Sequence, residues 1–246
     1  MDLTDRVALV TGGKRMGVTL ASRLARHGVD VALSYNRSGK EAEEAAAAVR
    51  DAGRGAAAIR ADLSSSGAVH DLVDATAARF GRLDIVVNMA STYRRIPLDA
   101  LTDEDWAAAL DIDLSAAWRV ARAAAPHMRA AGGGRIVNFS DWTAASGRPR
   151  YTGYVAYYVA KRAVVALTEV LALELARDGI LVNAVAPGPI LPPPDLPAGE
   201  VEAVVRETPV GRWGGAEAIA GTVLELLQSD FVTGETVRVD GGRHLK

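Results

Sequence analysis

Four tyrosines crowd the ten positions ahead of a lysine in "YTGYVAYYVAK", residues 151–161. A phenol can hand a proton to a reacting heteroatom, and an ammonium beside it favours the phenolate left behind. On a helix, Tyr157 is the i,i+4 neighbour of Lys161 and Tyr158 the i,i+3 neighbour, so either reaches it. Tyr154 lies two turns back on the same face, although Gly153 places the helix start close to it. Spacing leaves open which one, if any, is the donor. The bland alternative is four aromatic side chains facing a core.

A second stretch with chemical content is "VALVTGGKRMGVTLASRLARHG", which runs from strand through a glycine turn into a helix. Such a turn lets backbone approach a pyrophosphate and aims a helix N-terminus at the anion. Gly12, Gly13 and Gly17 do not spell G-x-G-x-x-G, so the weight comes from context, the first βα turn of an alternating chain. The next strand ends "SYNRS", with no acid to hold ribose hydroxyls. Arg37 and Ser38 stand there instead, and Lys14 and Arg15 add positive charge in the turn. A guanidinium fork with a hydroxyl matches a phosphate dianion, so the expected cofactor is NADP(H) rather than NAD.

The elements that must position these groups alternate regularly. Strands are expected at 6–11, 30–35, 56–61, 83–88, 134–140, 180–186 and 236–240, with helices near 17–27, 39–52, 67–80, 103–131, 155–178 and 215–228. The strands are continuous apolar runs, as in a parallel sheet covered on both faces. With 246 residues and no linker or repeat, the expectation is one α/β domain: a doubly wound, Rossmann-like parallel sheet of about seven strands with helices on both sides. The segment 187–199 breaks the rhythm, holding six of the ten prolines. It reads as a rigid surface connection or as a lid, near 188–212, beside a substrate site.

Composition narrows the function. The chain has no cysteine, and its four histidines are far apart, so no metal site is expected. A net charge of −2 gives no reason to expect nucleic acid or an anionic membrane. No apolar run spans a bilayer and no export signal opens the chain, so the expected location is cytoplasmic.

Taken in order, "TGGKRMG" at the turn, "ADL" at 61–63, "NMAS" at 88–91, "YVAK" at 158–161 preceded by Tyr157, "VNAVAPG" at 182–188 and "VDGG" at 239–242 resemble the short-chain dehydrogenase/reductase family. The likeness covers nearly the whole chain. In that family the active site is a Y-x-x-x-K pair, which selects Tyr157 as acid with Lys161 lowering its pKa. The resemblance implies cofactor contacts from Gly12, Lys14, Arg15, Met16 and Gly17 at the turn and from Asn36, Arg37 and Ser38 after the second strand. It further implies Asp62 and Leu63 at the adenine, Asn88 and Ala90 on the ribose side, and Pro187, Gly188 and Ile190 at the nicotinamide, with Tyr157 and Lys161 between. The proline segment then covers the substrate.

Three features depart from the family pattern. Asp141 follows "IVNFS" where serine is usual, Asp113 in "LDIDLSAAW" stands where a catalytic asparagine is usual, and the turn is one residue shorter, with Arg15 in it. Arginine in the turn and aspartate for serine resemble the pteridine reductase subgroup, where an aromatic residue near Tyr93 stacks on pterin. The expected activity is therefore NADPH-dependent reduction of a carbonyl or C=N bond in a small molecule. Asp141 would orient the substrate or act as a second proton donor, and Tyr93 and Trp142 would wall the pocket. The rival is a catalytically silent NADP-binding protein that reports redox state. Helix 155–178 carries apolar residues around its whole circumference, so a homo-oligomer, tetramer or dimer, is expected through it and 103–131.

Overall fold

The structure, a computed structural model, describes residues 1–12, 16–194 and 196–246. Seven strands form one parallel sheet in the order β3-β2-β1-β4-β5-β6-β7. They are β1 (Val7–Thr11), β2 (Asp30–Tyr35), β3 (Ala56–Arg60), β4 (Ile85–Asn88), β5 (Gly134–Phe139), β6 (Ile180–Pro187) and β7 (Thr236–Val239). Every expected strand is present: β2 has the expected bounds, β6 runs one residue further, and the other five are shorter by one or two residues. The central strands are buried along their whole length because alternate residues feed two cores. In β1, Ala8 and Val10 pack under α1 (Gly17–Arg26), α2 (Gly39–Asp51) and, across the sheet, Ile219 and Val223 of the last helix. Val7 and Leu9 face the opposite way, towards Leu72 of α3 (Ser66–Phe80) and Val120.

The order reverses between β1 and β4, opening a crevice at the carboxyl ends of the strands. The segments that close it depart from the sequence reading. The single helix expected at 103–131 is three pieces: α4 (Asp103–Leu110), a π-helical turn (Asp111–Ser115) and α5 (Ala116–Ala130). A π turn inserts one residue into the helical repeat and re-aims what it carries. Here that is Asp113, which is buried. Two helices were not anticipated: α6 (Trp142–Ala145), capped by Asp141, and α8 (Ala198–Glu207), which follows the proline segment. α7 (Val155–Leu175) and α9 (Ala216–Gln228) complete the layers. Among the described residues, no helix is long and apolar enough to cross a membrane.

Candidate active site

The carboxyl ends of β5 and β6, the residues just after β4 and Met16 at the head of α1 surround a cleft of about 640 Å³. Its floor includes Asp141, Tyr157 and Lys161, and its rim Pro187, Gly188 and Ile190 after β6. Tyr157 and Lys161 are one turn apart near the start of α7, as their spacing requires. Tyr158, Tyr154 and Tyr151 also line the cleft. Phe139, at the end of β5, and Asp141, just past it, bring that strand to the same point.

Lys161 is only 3% exposed, and its ammonium donates to the Phe139 carbonyl at 3.0 Å. Its other partner is the Asp113 carboxylate, Nζ to Oδ1 at 3.4 Å. Asp113 is held in turn by the Ser91 hydroxyl, the Thr92 hydroxyl at 2.5 Å and the Thr92 amide at 3.3 Å. Asp113 thus ends as the lysine's counter-ion. Ser91 and Thr92 were not singled out in the sequence, although Ser91 closes the "NMAS" motif. Burial lowers the Lys161 pKa from 10.5, while Asp113 and then Asp141 oppose that.

Tyr157 turns to the other carboxylate. Its hydroxyl donates to Asp141 Oδ2 at 3.3 Å, while Asp141 Oδ1 accepts the Thr143 amide at 2.8 Å and its hydroxyl at 2.5 Å. Burial, then the charges of Asp141 and Asp113, push the Tyr157 pKa well above its ordinary 10. This corrects the expectation that Lys161 draws the phenol down. The ammonium lies 5.8 Å from the ring centre and spends its hydrogen bonds on Phe139 and Asp113.

Aromatic rings wall this corner. Tyr93 stacks on Tyr154 with centroids 5.0 Å apart and planes 26° from parallel, and meets Tyr157 edge-on at 4.9 Å. Tyr93 sits at φ +38°, a conformation that costs a non-glycine residue about 1 kcal/mol or more. Trp142 is buried as a wall, with the Arg150 and Arg243 guanidiniums 5.5 and 5.7 Å from its ring centroid. Arg243 also bonds Glu207 at 2.6 Å and the Val204 carbonyl at 3.1 Å, tying α8 to the chain's last turn. The outer wall is formed by Leu191, Pro193, Leu196 and Glu200, so the proline segment and α8 lie beside the cleft.

The residues expected to hold a dinucleotide lie along the same sheet edge. Gly12 has φ +71°, and a Cβ there would sit 2.8 Å from Ala90 Cα, so only glycine lets the β1 turn close on β4. Met16 and Gly17 begin α1. Lys14 and Arg15 lie outside the described residues. Asn36 and Arg37 are exposed after β2, and Ser38 precedes α2. Asp62 accepts the Ser64 amide and hydroxyl, which lower its pKa first, with Arg37 adding to the effect. Leu63 is buried beneath it. Asn88 donates to Asn138 at 2.9 Å, yet its Oδ1 is buried with no partner among the described residues, as is the Ser34 hydroxyl. Unpaired acceptors at the carboxyl ends of β4 and β2 suit a polar ligand laid across this edge. Gly188 has its own constraint, since a Cβ there would meet Asp240 Cβ at 2.5 Å.

Residues 13–244 match a family model described as enoyl-(acyl carrier protein) reductase. A short-chain reductase protein from Streptomyces niveus, NovJ, is 38% identical over 97% of this chain and 94% of its own length. A 3-oxoacyl-[acyl-carrier-protein] reductase of Synechocystis is 35% identical over 98% of this chain and 97% of its own. The solved structure of a short-chain dehydrogenase/reductase from Serratia marcescens superposes with a TM-score of 0.91 at 34% identity, covering 99% of this chain and 100% of that one.

Proposed function

The chain belongs to the short-chain dehydrogenase/reductase family, an oxidoreductase family that works with a nicotinamide cofactor, and on that premise we propose that it reduces a carbonyl or C=N bond of a small substrate with NADPH. The observation that carries this reading is the Tyr157 phenol on the cleft floor, one helical turn from a buried Lys161–Asp113 pair. When bound, NADPH supplies the hydride. Met16 and Gly17 at the head of α1, Asn88 and Ala90 after β4, and Pro187, Gly188 and Ile190 after β6 would hold it, with Asp62 and Leu63 at the adenine. Arg37 and Ser38 carry the choice of NADPH, because a guanidinium and a hydroxyl stand where NAD needs an acid. Tyr157 gives its proton to the substrate heteroatom; its raised pKa keeps the phenol protonated at neutral pH while making it the weaker acid. Asp141 accepts the phenol's hydrogen bond and so fixes its direction.

The reductase names of the Streptomyces and Synechocystis relatives support the direction of reaction. Val155, Val159, Val170 and Leu173 of α7 and Trp118 of α5 are exposed apolar side chains on the two helices expected to pair, so a second copy of the chain covers them in a homo-oligomer acting in the cytoplasm. The test is NADPH oxidation, followed optically, over ketoacyl thioesters, quinones, sugars and pterins. At least one substrate turns over, and Tyr157→Phe slows it about a hundredfold or more, the scale of a positioned proton donor. Tight NADPH binding with no turnover on any of them, or on a cationic C=N compound, would return the silent, redox-reporting reading. Arg37→Asp weakens NADPH more than NADH; equal losses would remove Arg37 from the phosphate.

A further inference from the structure

The reacting end of the cleft holds two carboxylates and one ammonium. Lys161 is matched to Asp113 at 3.4 Å. Among the described residues, none brings a cation within ion-pair distance of Asp141, whose hydrogen-bond partners are Thr143 and the Tyr157 hydroxyl. The trio therefore carries one net negative charge, held beside aromatic faces. The other charged groups of the cleft lie on its outer wall: Arg243 is matched to Glu207, Arg150 donates to the Lys246 main-chain oxygen, and Glu200 lies on α8.

That charge is badly placed for a ketone. A carbonyl oxygen only accepts hydrogen bonds and gains negative charge as carbon is reduced, and here it would meet Asp141 at the phenol it needs. A carboxylate among tyrosine rings is instead the usual composition of a site for an organic cation. Tyr93, Tyr154 and Tyr157 supply the rings, at centroid separations of 4.9 to 6.2 Å. We propose that the site is built for an iminium substrate: a planar ring bearing a positively charged C=N group, its nitrogen beside Asp141 and its ring against Tyr93. This rests on the reading of the chain as an NADPH-dependent reductase and names the substrate class of the same site.

The step balances without a proton. The iminium carbon gains the hydride and forms a C–H bond, while the C=N π pair comes to rest on nitrogen as its lone pair. The substrate is reduced by two electrons, NADPH is oxidised to NADP⁺, and the cation becomes a neutral amine. The attraction to Asp141 is lost in the hydride step itself and returns once the amine takes up a proton from water. A ketone on the same floor needs one proton from Tyr157, whose hydrogen bond is already given to Asp141.

The experiment compares N-methyl-3,4-dihydroisoquinolinium, which is permanently charged, with 1-tetralone, a neutral carbonyl of similar shape, correcting for uncatalysed reduction. The wild type favours the iminium in kcat/KM by at least about tenfold, the scale of one lost charge contact. Asp141→Asn and Asp141→Ser both shrink or reverse that preference, and the serine variant keeps a side chain able to cap α6. Calorimetry with the N-methylisoquinolinium cation and no cofactor gives binding that weakens about tenfold or more in both variants. A wild type that reduces 1-tetralone or a neutral dihydropterin and ignores the iminium overturns the proposal while leaving the reductase reading intact. So does cation binding that is indifferent to Asp141. Cation binding that depends on Asp141, without turnover of any substrate, upholds the cation site and sinks the reductase reading.

Discussion

Two aspartates are wholly buried at opposite ends of the sheet, and they are held very differently. Asp84, just ahead of β4 at the amino ends of the strands, accepts from the Val7 amide at 3.0 Å, from Arg82 at 2.8 and 2.6 Å, and from Arg6 at 3.1 Å. Both guanidiniums reach it from the rim, with 36% and 29% of their side-chain surface still in water. Asp113, at the carboxyl ends, has the hydroxyls of Ser91 and Thr92 and a single ammonium that is itself 3% exposed. In the first case one charge is desolvated and its partners are not. In the second, both charges of the pair are buried, and an attraction in that setting repays desolvation only if each partner stays. The first arrangement fastens β1 to β4. The second stores an environment, and Tyr157 and Asp141 sit in it.

Removing the ammonium separates the two ends most sharply. Lys161→Met leaves Asp113 buried without a counter-charge, and a broken buried pair costs about 3–5 kcal/mol. Urea unfolding should show that loss, and turnover should fall with it. A variant as stable as the wild type would mean that Asp113 is satisfied by Ser91 and Thr92 alone. Asp84→Asn is the matched break at the other end. Its arginines regain water, so the cost should be about 2 kcal/mol, that of charge-assisted hydrogen bonds exchanged for weaker ones. Turnover per folded molecule should not change, because nothing at the amino end touches the cleft. A changed kcat in Asp84→Asn would show the two ends to be coupled.

The difference between the ends also marks what could be read beforehand. The strands were legible because doubly covered strands must be continuous apolar runs, and "VALVT" or "IVVN" admits little else. Tyr157 and Lys161 were legible as a pair because a helix fixes which residues are neighbours. What holds them was not, since Asp113 meets Lys161 only through the π turn, and periodicity over 103–131 reads straight across it. The direction of the Tyr157 pKa was misread for a related reason. Sequence places the lysine nearby, but only the fold shows the ammonium spent on Phe139 and Asp113. Thr143 could have been found: two residues after Asp141, it is where an aspartate's own turn hydrogen bonds fall.

The smallest expected effect tests the stored environment itself. In the folded chain burial holds the Lys161 pKa below 10.5, with Asp113 the main opposing influence and Asp141 the next. A lysine with a lowered folded pKa binds fewer protons folded than unfolded, so stability rises with pH from that folded value up to about 10.5. Below the window the cost of the buried charge is fully present, and above it the cost is gone. Asp113→Asn removes the larger support, so the Lys161 pKa falls further and the window opens at lower pH. Isosteric asparagine keeps a carbonyl for one hydroxyl, and the other hydroxyl can turn to accept its amide, so the cost of the change is confined to the buried ammonium left without its counter-ion. Urea midpoints between pH 7 and 10 should therefore climb with pH more in Asp113→Asn than in the wild type, and the alkaline limb of kcat/KM should move to lower pH. Asp84→Asn should show neither change. Parallel slopes in Asp113→Asn and wild type would mean that the Lys161–Asp113 contact carries no charge coupling, and the contrast between the two ends would reduce to burial alone.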